Sequence, residues 1–223
     1  MNQEIDHNKI INKAAGDVLK PMGLFRKGQS RIWIDDNDWF LIIVEFQPSN
    51  WDKGSYLNVA VNYLWSRKEY LSFDYGHRES AFVKCGKDEK LFYDECKALA
   101  EKAAEKVKKY RGFRDMDYAK EKILQKKDTA SRSHELYHKM MVCGLAKDKR
   151  ALEFYKKLAD EVKCSALSYE IEYYGELNGE VSKVINDADK FQEYILQKVN
   201  LQREFWRSKS SMKKLKERIV SSP

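Results

Sequence analysis

Hydrophobic residues occupy both alternating sides of Trp39-Phe40-Leu41-Ile42-Ile43-Val44, and only Glu45 and Gln47 bring polarity to one side at the far end. That pattern predicts a central strand covered on both faces. The next run, Tyr56 to Trp65, alternates cleanly. Leu57, Val59, Val61, Tyr63 and Trp65 share one side, and Asn58 and Asn62 sit on the other. Side chains of a strand point alternately up and down, so this strand packs one face and presents amides on the opposite one. In all, strands are predicted at about 24–35, 39–47, 56–66 and 70–75, with a short one at 80–84. The connections are short enough for an antiparallel meander.

Helical spacing takes over on either side. Asp6 precedes Ile10, Ile11, Ala14, Val18 and Leu19, a capped amphipathic helix that Pro21 and Gly23 end. Asp88 caps a long helix whose stripe is Phe92, Cys96, Leu99, Ala103, Val107 and Tyr110, with Gly112 as its stop. Beyond 113 the pattern predicts helices at roughly 116–127, 131–146, 148–163 and 181–207. Leu167-Ser168-Tyr169-Glu170-Ile171-Glu172-Tyr173 alternates and reads as an added strand. The fold class is therefore α+β: an N-terminal helix, a four- or five-stranded antiparallel sheet covered by a long helix, then a C-terminal helical subdomain. The boundary is expected near 112–115, giving 1–112 and 113–223.

The order of these segments is similar to a known family. The first helix, then Leu19-Lys20-Pro21-Met22-Gly23-Leu24-Phe25-Arg26-Lys27-Gly28, then Trp39 to Gln47, then Leu57-Asn58-Val59-Ala60-Val61-Asn62 resembles the uncharacterised bacterial domain-of-unknown-function family numbered four-three-zero-four. The resemblance covers about residues 8–110. It implies an α+β domain with one antiparallel sheet and points to bacterial defence or toxin neutralisation. It carries over no activity and no catalytic residue.

Composition bounds the rest. The 223 residues are 43% hydrophobic and 35% charged, as in a globular chain with a polar surface. No apolar run is long enough to span a bilayer, and the polar start Met1-Asn2-Gln3-Glu4 has no signal-peptide core, so a cytoplasmic location without membrane contact is expected. Cys85, Cys96, Cys143 and Cys164 match no metal-ligand spacing and are expected as buried free thiols. The net charge is +7. Residues 1–112 hold 19 Lys and Arg against 17 Asp and Glu, whereas 198–220 hold eight against two. The basic excess thus lies in the C-terminal segment, a candidate for weak, sequence-independent nucleic-acid contact.

Candidate chemistry is sparse. His134-Glu135-Leu136-Tyr137-His138 matches His-Glu-x-x-His, which on a helix lets two imidazoles share a zinc while the Glu activates water. Arg132 and Lys139 flank it, Met141 stands where the extended motif needs glycine, and Glu153 or Glu161 is the available third ligand. The expectation is two half-buried histidines at a helix edge, with no metal, no cofactor and no catalytic residue. Asp74-Tyr75-Gly76-His77-Arg78-Glu79 holds acid–base groups at a strand end, where turn residues are common. The nearest approach to a phosphate-binding loop is Arg26-Lys27-Gly28, with one glycine and no hydroxyl after its lysine. Trp33, Trp39, Trp51, Trp65 and Trp206 are expected in and around the core. Glu45, Gln47, Asn58 and Asn62 form the candidate binding set on the less apolar sheet face. Together these features predict a non-enzymatic interaction protein with a protein partner.

Overall fold

The two apolar runs pair as the alternation requires. In the computed structural model, which describes residues 6–127, 131–217 and 219–221, β3 (Phe40–Gln47) and β4 (Gly54–Tyr63) are antiparallel neighbours. Val44 stands opposite Val59 and Glu45 opposite Asn58. The other strands are β1 (Phe25–Arg26), β2 (Ile32–Asp36), β5 (Tyr75–Arg78) and β6 (Val83–Lys84). The sheet runs β1-β2-β3-β4-β5, and β6 also pairs with β4. The strand expected at 24–35 is two strands separated by a turn in which Gly28 adopts φ 54°. The strand expected at 70–75 begins only at Tyr75. Gly54 opens β4 at φ 149°, and a Cβ there would meet the Val83 carbonyl oxygen at 2.1 Å, so the β4–β6 pairing needs glycine.

Among the described residues there are seven α-helices, most of them C-terminal. Helix α1 (His7–Leu19) starts at Asp6, whose carboxylate accepts from the Lys9 amide at 3.1 Å. Helix α2 (Glu89–Arg111) is capped by Asp88 in the same way. Both cover the sheet face that carries Trp33, Val44, Val59 and Val61. A Cβ on Gly16 of α1 would lie 3.3 Å from the Trp33 ring, and Tyr110 of α2 meets Tyr75 edge-on at 5.9 Å. Phe92, Cys96, Ala103 and Val107 are buried, as the periodicity predicts.

The chain divides into two compact units: Met1–Leu64 with Lys68–Gly112 and Arg203–Arg218, and Trp65–Arg67 with Phe113–Gln202 and Ile219–Pro223. The second unit holds α3 (Met116–Gln125), α4 (Arg132–Leu145), α5 (Arg150–Cys164), α6 (Ser168–Val181) and the first part of α7 (Ala188–Ser208). Gly144 on α4 lets α7 approach, because a Cβ there would sit 2.2 Å from the Phe191 ring. Trp65 belongs with this unit and not with the α2-covered sheet face. Its indole N–H donates to His138, and its carbonyl accepts from the Tyr137 hydroxyl at 3.0 Å.

The strand expected at 167–173 is helix α6. Alternation in that stretch competes with a longer helical stripe, Glu170, Tyr174, Leu177 and Val181, all buried. Burying that stripe favours the 3.6-residue period. Glu170 is satisfied by the Ser131 and Ser165 hydroxyls, both at 2.8 Å, and by Ser133 at 3.2 Å.

In the first unit, consecutive aspartates of β2 are each held by an arginine. Asp35 shares a face with Ile42 and receives Arg111 of α2 at 2.7 and 2.9 Å. Arg111 also donates to the Met22 carbonyl. Asp36, on the other face beside Leu41, receives Arg203 of α7 at 2.8 and 3.1 Å and the Lys216 amide at 3.0 Å. Arg203 is 1% exposed and donates further to the carbonyls of Asn37, Asp38 and Lys216.

The four cysteines are free thiols, but only Cys96 and Cys143 are buried; Cys85 is partly buried and Cys164 exposed. Burial pushes both buried thiols up to about 12, and only the thiolate reacts. At about pH 8, alkylation of the native protein is expected at Cys164 first, with Cys96 and Cys143 modified only after denaturant is added, as peptide mapping would show. Asp36→Ala should lower unfolding free energy by roughly 3–5 kcal/mol, since it leaves Arg203 buried without its carboxylate. The double variant Asp36→Leu, Arg203→Met should recover much of that loss in urea denaturation.

Candidate functional site

The residues expected to form one polar binding face fall into two hydrogen-bonded clusters in the sheet unit. Asn58 lies between Glu45 and Gln47, and its amide donates to Glu45 Oε2 at 2.8 Å and Gln47 Oε1 at 2.9 Å. Arg78 donates to the same Gln47 oxygen at 3.0 Å and lies 4.0 Å over the Tyr56 ring. Asn62 belongs elsewhere. Its amide donates to Ser72 Oγ at 2.8 Å and to Asp74 Oδ2 at 3.3 Å. Asp74 also accepts from the Tyr63 amide and from Lys68. A buried amide needs such partners, because each group left unsatisfied costs about 1–3 kcal/mol. The acid–base residues at 74–79 do not converge. Asp74 is buried, while His77 is exposed and lies 3.6 Å from Glu79, which pairs with Lys106.

The His-Glu-x-x-His segment is helical, with both imidazoles one turn apart on α4 and their Nε2 atoms separated by 2.9 Å. Two contacts oppose metal hydrolysis. The Trp65 indole N–H, which can only donate, points at His138 Nδ1 at 3.0 Å. His138 Nδ1 therefore accepts, and in the neutral ring the proton sits on Nε2, the atom a metal would need. Glu135 is held by Lys139 at 2.6 Å and Arg132 at 2.5 Å, so the carboxylate proposed as base is already engaged by two cations. Tyr137, beside His138, is fully enclosed, and burial raises its phenol well above the usual range, with Tyr173 adding to the effect.

Among the described residues, three basic residues of the C-terminal segment are paired with carboxylates. Lys198 pairs with Glu180 at 2.6 Å, Arg203 with Asp36, and Arg207 with Glu217 at 3.0 Å. Lys209 lies over the Phe205 ring. Trp33, Trp39, Trp65 and Trp206 are buried, whereas Trp51 is 93% exposed.

The helical unit contains a mostly apolar cleft of about 260 Å³ between α5 and α6, lined by Tyr155, Leu158, Val162, Ile171 and Tyr174 together with Lys163 and Asn178. Four large apolar side chains stand exposed along the same stretch: Leu167, Tyr169, Ile171 and Tyr173. Gly175 and Gly179 follow at helical spacing, and a Cβ on either would meet nothing within 4 Å. The Asn178 side-chain oxygen is buried and has no hydrogen-bond partner among the described residues. Reading 167–173 as a strand hid this surface. The signal that reveals it is the four-residue spacing of Leu167, Ile171, Gly175 and Gly179.

No protein-family model matches the chain, and neither a curated protein nor a solved structure matches it. The described helices include none long and apolar enough to cross a membrane.

Elemental analysis after incubation with zinc and exhaustive dialysis is expected to find far less than stoichiometric metal. Stoichiometric zinc that disappears in His138→Ala would restore the hydrolase reading, since the Trp65 donor would then have yielded its nitrogen.

Proposed function

We propose that the chain is a non-enzymatic, cytoplasmic interaction protein whose contact surface is the α5–α6 cleft, and that its partner presents a basic amphipathic helix. Membership of residues 8–110 in the family they resemble, with its defence or toxin-neutralising setting, is part of this proposal.

The observation that carries the reading is the exposed pair Leu167 and Ile171, one helical turn apart, with Ile171 lining a formed apolar cleft. Single exposed apolar residues are ordinary; exposed apolar residues that continue into an apolar cleft mark a docking surface. The open space over Gly175 and Gly179 lets a second backbone come close, which a helix laid into a groove requires. Charge selects the flank. Helix α6 contains Glu172 and Glu176 in exposed positions and no lysine or arginine, whereas Lys163 of α5 lines the opposite side of the cleft, so lysines on the α6 side of a partner's apolar stripe would be favoured. The buried Asn178 oxygen offers an acceptor to a donor that enters the cleft.

The test uses fluorescence anisotropy with a labelled peptide of about five helical turns, leucines on one face and lysines on its flanks. Binding is expected, and Ile171→Glu, at an exposed position that tolerates charge, should weaken it by about tenfold or more. A scrambled peptide of the same composition binding equally well would sink the proposal. Concentration-dependent self-association abolished by Ile171→Glu would make a second copy the occupant and overturn the partner-helix reading.

A further inference from the structure

A second surface, in the sheet unit, has a different chemistry. The start of α1 and the β1–β2 turn border an open cleft of about 700 Å³. Among the described residues, its lining carries Lys9, Lys13, Arg26 and Arg31 against a single carboxylate, Asp6. That carboxylate already caps the helix through the Lys9 amide.

The two arginines differ from others in the molecule. Arg111, Arg150 and Arg203 each meet a carboxylate. Arg26 is partly buried, and its partners are the Ser30 carbonyl at 2.6 Å and the Gln29 carbonyl. Arg31, also partly buried, donates to Asn8 Oδ1 at 2.7 Å and to the Gly54 carbonyl at 2.9 Å. Neither arginine has a carboxylate partner among the described residues. Burial lowers the Arg31 guanidinium from its usual value, the sign of a cation short of compensation. Lys13 lies 5.2 Å over the Tyr93 ring, and Lys9 is exposed. Four cations thus converge where neutral oxygens orient the guanidinium groups without neutralising them.

The cleft also has an acceptor. Asn12 donates its amide N–H to the Asn8 carbonyl at 2.9 Å, which fixes the orientation of the amide. Its Oδ1 is buried and has no hydrogen-bond partner among the described residues. A ligand here is therefore asked for two things: anionic oxygens for the cations, and a hydroxyl for Asn12.

We propose that this cleft binds a small phosphorylated, hydroxyl-bearing compound, such as a sugar phosphate, with its phosphate against Arg26, Arg31, Lys9 and Lys13 and a hydroxyl donated to Asn12 Oδ1. Guanidinium forks match phosphate oxygens geometrically, and lysines add mobile positive charge. The site is independent of the α5–α6 surface, so either can fail without the other.

Isothermal titration with ribose 5-phosphate, inorganic pyrophosphate and a short single-stranded oligonucleotide tests it. The two small phosphates are expected to bind with an affinity that falls as salt rises. Lys9→Glu with Lys13→Glu changes only exposed side chains and should weaken both by about tenfold or more. Asn12→Leu should weaken ribose 5-phosphate and leave pyrophosphate unchanged, a difference that a general loss of structure would not produce. Binding of neither small phosphate overturns the proposal. So does binding insensitive to the Lys9 and Lys13 reversals, or an equal effect of Asn12→Leu on both probes. Tighter oligonucleotide binding through the same lysines would assign the cleft to a nucleic-acid backbone and overturn the small-ligand reading.

Discussion

Two neighbouring aspartates that cannot share a side organise the sheet unit. Strand alternation sends Asp35 to the α2-covered face and Asp36 to the opposite one. Each charge is costly away from water unless it is paired and hydrogen-bonded. Arg111 compensates the first and fastens the end of α2 to β2 and to the turn after α1. Arg203 compensates the second and brings the end of α7 and the Lys216 backbone against the same strand. A segment more than 160 positions further along the chain is thereby made part of the sheet unit. A hydrophobic pair of similar shape would fill the space but would not fix the segment's register through five donated hydrogen bonds.

The same economy of buried polarity explains why most candidate chemistry proves structural. Glu170 is surrounded by three serine hydroxyls, Glu135 by two cations, Asn58 by two acceptors, and His138 by an indole donor. Each group is held in one orientation by partners that use its lone pairs or protons, so little capacity is left for substrate. Not every buried polar atom is satisfied in this way; Arg203 Nε and the Trp33 and Trp206 indole nitrogens lack a hydrogen-bond partner among the described residues. Asn12 and Asn178 each leave a buried oxygen without a partner among the described residues, and each lines a cleft. One cleft is rich in cations and the other is apolar, which is why they are assigned different ligands.

What the sequence determined by itself was set by local period and local caps. The unbroken apolar run of β3 and the alternation of β4 specified strands and the faces of β4, their short connection specified antiparallel pairing, and Asp6 and Asp88 marked helix starts that the structure realises. The burial of the Phe92–Tyr110 stripe was legible for the same reason, because a helix this amphipathic has one face to cover. Where two periods overlapped, the reading failed. Residues 167–173 alternate, yet α6 forms because Glu170, Tyr174, Leu177 and Val181 bury together, and a short window does not contain that stripe. Tertiary structure alone decided which polar groups meet. Nothing local couples Asp36 to Arg203, separates Asn62 from Asn58, or aims Trp65 at His138. Those contacts depend on the relative placement of distant segments, whereas a residue pattern encodes only which side of its own element each side chain takes.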